Sequence, residues 1–395
     1  VVLWSEDQRR VLAGVEREGP TGDAARMPGM VTELLASQRL AVRDLGAVAI
    51  SVGPGSFTGL RASLAFQVQD LLPIPVDQAV LDFYPLEELT DGVRAGEVRA
   101  LARAISLVED GAPELEELSA ALYPRTGRAW TLGITGAPGV GKSSLARELV
   151  RMARARGLSV AVLAIDPTSP FSGGALLGDR LRMQEHATDP AVFIRSMATR
   201  GHLGGMALAA PEAVRILDAS GKDVVIVETV GVGQAEVDVA AATDTTVVVV
   251  APGWGDAIQV AKAGILEIAD VFVVNKADRE GAEEAVRDLR NMLRLGPSLP
   301  WTPAVVATST VTGEGLEELW AAAEAHRHAQ EESGRLRERR RGRLALELET
   351  LAAERLRLRV RDLVETAGDL IDALEERRTD PYRAAAMLLE RLRSP

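Results

Sequence analysis

The sequence of 395 residues contains no cysteine, which excludes a disulfide framework and any thiolate metal site. It also lacks a long apolar run. No stretch approaches eighteen consecutive apolar residues and no cleavable signal opens the chain, so a soluble, cytoplasmic protein with no membrane partner is expected. Positive charge is in deficit: 45 Lys and Arg against 57 Asp and Glu leave a formal charge of −12, which disfavours nucleic acid or an anionic membrane as partner. An initiator methionine is missing as well. The chain starts at Val1, so its true start is expected to lie upstream. What is present is 47% apolar content, enough for the cores of two or three domains at this length.

Residues 1–80 read as a small α/β piece, with strands at 1–4 and 47–52, a helix at 30–38 and a stiff exit at 71–76 carrying Pro73 and Pro75. A helical lead-in over 85–127 follows. Its stretches 95–108 and 114–122 place apolar residues at helical spacing. Over 128–320 the pattern becomes strand, Gly-rich turn, helix, repeated. Candidate strands lie at 130–135, 159–165, 192–195, 223–228, 245–250, 271–275 and 304–308. Several are continuous apolar runs, as parallel strands covered on both faces require. The fold class is α/β, a doubly wound and mostly parallel sheet. Residues 321–395 form a C-terminal helical arm. Leu344, Leu348, Leu351 and Leu358 share a face, as do Leu363, Leu370 and Leu374. An apolar stripe on a long helix has to be buried somewhere, and an oligomer contact is expected. The Arg-rich run 335–343 is interleaved with acidic residues and is expected to be a solvated helix face.

Gly136-Ala137-Pro138-Gly139-Val140-Gly141-Lys142-Ser143 fits G-x-x-x-x-G-K-[ST] between a predicted strand and helix, and Ser144 follows. The glycines let backbone N–H groups turn inward around phosphates, helped by the positive end of the next helix. Lys142 is expected to reach the β- and γ-phosphates, and the Ser143 hydroxyl to bind Mg²⁺. Downstream, Asn275-Lys276-Ala277-Asp278 ends another apolar strand. A carboxylate there accepts two hydrogen bonds from guanine N1–H and the 2-amino group, neither of which adenine offers. The nucleotide is therefore GTP or GDP. Ser309, after the strand ending at Thr308, is expected to cover the base. Glu228 closes another strand, where a carboxylate can hold Mg²⁺ through water, and the Gly231 N–H can sense the γ-phosphate. Val232 follows that glycine where other GTPases keep a water-orienting Gln, so slow intrinsic hydrolysis accelerated by a partner is expected, although Gln234 lies nearby. Asp166 is a further carboxylate on the metal side, with a turn-forming Asp before Pro167 as the other reading.

These residues occur together with Asp166-Pro167-Thr168-Ser169-Pro170, Leu177-Gly178-Asp179-Arg180, Phe193-Ile194-Arg195-Ser196, Arg200-Gly201-His202-Leu203-Gly204-Gly205 and Pro252-Gly253-Trp254-Gly255-Asp256. From about residue 92 to the end, the chain resembles the methylmalonyl-CoA mutase-associated GTPases (MeaB/ArgK family). The resemblance implies a P-loop GTPase of the SIMIBI class and a homodimer joined through C-terminal helices. It implies a chaperone that gates adenosylcobalamin loading and protects an acyl-CoA mutase. It also implies that Asp166, Asp179 and Glu228 stand on the Mg²⁺ side, with Lys142, Glu228, Gly231 and Asp179 serving hydrolysis. Asp256 and Lys262 would lie on a loop coupling nucleotide to mutase. Nothing in the sequence marks a second substrate site, so a kinase has no support. His186 and His202 do not make a metal-ligand pair by spacing.

Ser51-Val52-Gly53-Pro54-Gly55-Ser56-Phe57-Thr58-Gly59-Leu60-Arg61, with Asp44 to Ile50 before it, resembles the threonylcarbamoyladenosine biosynthesis protein family TsaB over about residues 1–77. That resemblance implies a truncated actin/Hsp70-like piece and a TsaD-like partner for this segment.

Overall fold

Strands rich in β-branched residues build the centre of the molecule. The computed structural model describes residues 2–5, 10–14, 85–167, 186, 188–199, 205–229, 239, 242–253, 268–296 and 300–393. Seven strands form one parallel sheet: β3 (Trp130–Thr135), β4 (Val160–Pro167), β5 (Val192–Thr199), β6 (Val224–Thr229), β7 (Thr245–Val250), β8 (Val271–Asn275) and β9 (Ala304–Thr308). Their spatial order is β5-β4-β6-β3-β7-β8-β9. Strands β3, β6, β7 and β8 are buried at every residue, whereas edge strand β9 is half-exposed along most of its length. All seven expected strands are present; β5 runs on to Thr199, beyond the expected end.

Helices cover both faces. On one, α1 (Leu86–Arg94), α2 (Val98–Asp110), α3 (Leu115–Leu122) and α5 (Gly205–Ala219) share a core with β4, β5 and β6, to which Leu101, Ile105, Leu118, Leu163, Leu217 and Val227 contribute. On the other, α4 (Lys142–Ala155) and α7 (Leu316–Glu332) pack over β3 through Leu145, Leu149, Leu319 and Trp320. A third cluster joins α6 (Ala282–Leu295) to β7 and β8. The lead-in thus lies on the sheet itself. It holds one more helix than periodicity gave, because α1 is followed by a turn at Gly96 and α2 starts at Val98. Arg195 on β5 reinforces the joint through a 2.9 Å ion pair to Glu109 on α2.

At the N-terminus, β1 (Val2–Ser5) pairs antiparallel with β2 (Arg10–Gly14) in a separate two-stranded sheet. The second strand was not foreseen, and the expected elements at 30–38, 47–52 and 71–76 lie outside the described residues.

The arm is α8 (Arg335–Thr366), α9 (Gly368–Glu375) and α10 (Pro381–Arg393). No residue of α8 is buried; Leu344, Leu348 and Leu351 are exposed. Leu363 and Val360 instead pack beside Ala367, Leu370 and Leu388, where α10 folds back on α8. The Arg-rich run is the solvated face expected of it only in part: Arg335, Arg337 and Arg341 are exposed, whereas Arg339, Arg340 and Arg343 are half-buried against the sheet. Arg340 donates to Asp244 at 2.6 Å, Arg343 pairs with the same carboxylate, and Arg339 reaches Asp270 at 2.9 Å. Arg340 also donates to the carbonyls of Gly127 and Ala129. Sequence spacing showed the acidic neighbours along the helix but not the buried Asp244 and half-buried Asp270 at the starts of β7 and β8. Burial pushes both carboxyls up, and their hydrogen-bonding and ion-pair partners more than reverse this and hold them below the usual carboxylate range: Arg340 and Arg343 for Asp244, the His326 ring and Arg339 for Asp270. Among the described residues no helix is long and apolar enough to cross a membrane.

Candidate nucleotide-binding site

The site forms where the C-terminal ends of β3, β6, β8 and β9 meet. β3 runs into residues 136–141 and then α4, so the loop sits at a helix N-terminus, where unpaired N–H groups and the helix dipole favour an anion. Two glycines are fixed by contact as well as by conformation. At Gly136 (φ 134°) a Cβ would stand 2.1 Å from the Val249 carbonyl oxygen; at Gly141 (φ 98°) it would stand 2.4 Å from Asn275 Nδ2. A side chain at either place would push the loop off the strands that shape it.

Lys142 curls back over this loop, its Nζ donating to the carbonyls of Gly136 at 2.6 Å and Ala137 at 2.8 Å. These are neutral acceptors. A phosphate oxygen adds a full opposite charge to the bond, so the same ammonium is drawn to an incoming phosphate and can turn to it without leaving the loop. Ser143 donates to Glu228 Oε1 at 2.6 Å, with both residues buried. β3 and β6 are in register here, Ile134 opposite Glu228, which is why a carboxylate ending β6 faces a hydroxyl starting α4.

The second half of the site joins β8 and β9. Asn275, 1% exposed, donates from Nδ2 to the Val140 carbonyl at 2.8 Å and accepts from Thr308 Oγ1 at 3.3 Å. One amide thus joins the phosphate loop to the strands of the base motif. Lys276, in the left-handed region at φ 63°, donates from Nζ to the Gly139 carbonyl at 2.6 Å. Asp278 is exposed at the surface of the turn, and Ser309 donates to its Oδ1 at 2.6 Å. That hydroxyl bond holds the Asp278 carboxyl below its usual range, keeping it an ionised double acceptor. Ser309 was expected to cover the base. Its side chain is fully buried beneath the turn instead, where Oγ also accepts from the N–H groups of Val311 and Thr312.

The geometry therefore brings residues 136–143 together with Glu228, Asn275, Lys276, Asp278 and Ser309, and Ser144 follows on α4. Asp166 lies in β4 with its side chain outside the described residues. Asp179, Gly231, Val232, Gln234, Asp256, Lys262 and His202 lie outside them altogether. Sequence reasoning missed Thr308, which holds Asn275, and the buried pair Thr135 and Thr229. No motif flags them; the only signal was a threonine at the end of each of three apolar strands.

A family model described as methylmalonyl Co-A mutase-associated GTPase MeaB matches residues 101–365. The chain belongs to the MeaB family. A relative in Pyrococcus horikoshii, named as a GTPase, is 48% identical over 312 residues, covering 78% of this chain and 98% of its own. GTPase ArgK of Escherichia coli is 39% identical over 267 residues, 64% of this chain and 79% of its own. The mouse methylmalonic aciduria type A homolog, described as mitochondrial, is 36% identical over 276 residues, 65% of this chain and 66% of its own. Among solved structures, one described as a LAO/AO transport system kinase superposes with a TM-score of 0.58 at 28% identity, covering 81% of this chain and 99% of its own. At the other end, residues 23–69 match a model described as tRNA N6-adenosine threonylcarbamoyltransferase, TsaD, where the sequence resembled TsaB. The MeaB-family chain is thus a guanine-nucleotide-binding P-loop GTPase. Ser143 and Glu228 offer hard oxygen donors only, and among the described residues no group of three His, Asp or Glu could hold a metal. That sparse oxygen set fits Mg²⁺, which takes one or two protein oxygens and leaves the rest to water and phosphate.

Proposed function

We propose that this MeaB-family protein is a GTP-hydrolysing chaperone that gates adenosylcobalamin loading into an acyl-CoA mutase of the methylmalonyl-CoA mutase type and protects that enzyme from inactivation. The observation that carries this reading is the family match over residues 101–365, laid on a site whose phosphate and base halves are joined by Asn275. In this role Lys142 leaves the loop carbonyls for the β- and γ-phosphates, and the 136–141 N–H groups cradle them. Asp278, kept ionised by Ser309, accepts the guanine N1–H and 2-amino group. Ser143 and Glu228, with Asp166 and Asp179, would hold Mg²⁺, which would neutralise charge developing on the phosphates. Gly231 senses the γ-phosphate. Val232 supplies no side chain to orient water, so hydrolysis is slow until a partner intervenes, with Asp256 and Lys262 in the segment that carries the signal. The exposed leucine stripe of α8 is the face for a second copy of the chain.

The test is the GTPase rate with and without a methylmalonyl-CoA mutase. Acceleration of about tenfold or more is expected if the mutase completes the site; an unchanged rate together with no complex on gel filtration sinks the chaperone reading. Asp278→Asn tests the base, since the exchanged amide edge should weaken GTP and favour xanthosine triphosphate. The match at 23–69 favours a second reading, in which the N-terminal segment recruits a threonylcarbamoylation partner; copurification of that machinery without a mutase would favour it.

A further inference from the structure

Thr135 and Thr229 end two adjacent parallel strands, β3 and β6. Both are fully buried, and the Thr229 hydroxyl donates to Thr135 Oγ1 at 3.1 Å. One residue back, Ile134 and Glu228 are register partners, and Glu228 accepts from Ser143. One residue forward, β3 becomes the phosphate loop at Gly136, while β6 passes into the segment that carries Gly231. The hydroxyl pair therefore ties the end of β6, which carries Glu228, to the root of the phosphate loop.

Packing alone does not call for hydroxyls here. Neighbouring buried positions of the same strands hold Ile134, Val225, Ile226 and Val227, and valine has the shape of threonine without the oxygen. A buried hydroxyl gives up its hydration and regains one bond, so a Thr–Thr pair adds little stability that Val–Val would lack. Neither hydroxyl makes a second hydrogen bond among the described residues. The pair does supply direction. Apolar contact tolerates a slide of one strand end past the other, whereas a hydrogen bond weakens steeply with distance and angle.

We propose that Thr135 and Thr229 are positioning residues for GTP hydrolysis. Their hydrogen bond latches the end of β6, and with it Glu228, to the root of the phosphate loop. They act through Gly136 and Glu228, their neighbours along the two strands, and are not themselves catalytic groups. The proposal rests on the GTP-hydrolysis reading above.

The test uses the full chain with Thr135→Val, Thr229→Val, the double Val variant and Thr229→Ser. Single-turnover GTP hydrolysis, affinity for a fluorescent GTP analogue and the urea midpoint are measured on each. Turnover should fall about tenfold in both single variants and in the double, with GTP affinity held within about threefold, the signature of lost alignment without lost binding. The urea midpoint should drop in the single variants, which strand one buried hydroxyl, and return in the double. Thr229→Ser should restore turnover. Wild-type turnover in the double variant overturns the latch, as does failure of the serine variant to rescue. Lys142→Ala, assayed alongside, separates the two ideas. If it abolishes turnover while Val–Val does not, the latch alone is wrong; if it leaves turnover intact, the hydrolysis reading falls and the latch with it.

Discussion

The two ends of the sheet are held by different chemistry. At the nucleotide end, the contacts are single hydrogen bonds rather than ion pairs: Lys142 and Lys276 to loop carbonyls, Asn275 to Val140, Ser143 to Glu228, Ser309 to Asp278. At the opposite end, Asp244 and Asp270 meet three arginines of α8 in ion pairs whose carboxylates are well shielded and whose arginines are half-buried. A neutral hydrogen bond is worth little enough to be exchanged for a phosphate. A buried ion pair with one partner removed is strongly destabilising, so it behaves as a fixed joint. The difference teaches which end is built to change partners and which to stay closed.

Asp244→Ala should have the largest effect. It leaves Arg340 and Arg343 facing each other without their carboxylate, and a loss of about 3 kcal/mol is expected, at the low end for a broken buried pair because Arg340 keeps some water contact. Urea unfolding measures the loss, and limited proteolysis within α8 should quicken. If stability changes by less than about 1 kcal/mol, the joint is no stronger than a surface pair. Lys142→Ala comes next and should behave oppositely. GTP affinity should drop by about 2 kcal/mol, or roughly thirtyfold, on isothermal titration, while the urea midpoint moves much less than in Asp244→Ala because no carboxylate is removed from beneath two arginines. Equal losses of stability and affinity would erase the contrast between the two ends.

The nucleotide end was much the more legible of the two in the sequence. Residues 136–143 and 275–278 are contiguous and chemically constrained, so a short pattern carries most of their geometry. All seven sheet strands could be read too, because parallel strands covered on both faces are nearly continuous apolar runs. The arm joint was not legible. Arg340 and Asp244 are far apart in sequence, and an Arg-rich helix with interleaved acids looks solvated until the starts of β7 and β8 are placed beneath it. Ser309 falls between these cases: its position after β9 was clear, but whether its hydroxyl faces the base or Asp278 is decided by the turn in which Val311 and Thr312 both donate to it.

Ser309→Ala probes the nucleotide end more gently. Loss of one hydroxyl should weaken GTP by about fivefold, the scale of a single hydrogen bond, with the fold retained. The pH dependence carries the diagnosis. Ser309 lowers the Asp278 pKa, so in the natural protein the carboxylate stays ionised, and guanine recognition persists, as pH falls through the ordinary carboxylate range near 3.9. Without that hydroxyl the acid limb of GTP binding should move to higher pH. An acid limb that stays where it was would show that Asp278 is not held by Ser309 in solution.

The smallest effect belongs to the middle of the arm. Arg355 on α8 reaches Glu116 on α3 at 2.5 Å, but both side chains are mostly exposed, at 66% and 75%. An exposed pair in water is screened and spends side-chain entropy to form, so Arg355→Ala should change stability by about 0.5 kcal/mol or less. The comparison with Asp244→Ala is then internal to one helix: the same arm, the same kind of ion pair, different burial. A large loss at Arg355 in urea unfolding would mean that the arm is held along its length. A negligible one leaves the holding of α8 to its less exposed ion pairs, at Asp244 and Asp270 beneath its root and at Glu347 with Arg215 of α5.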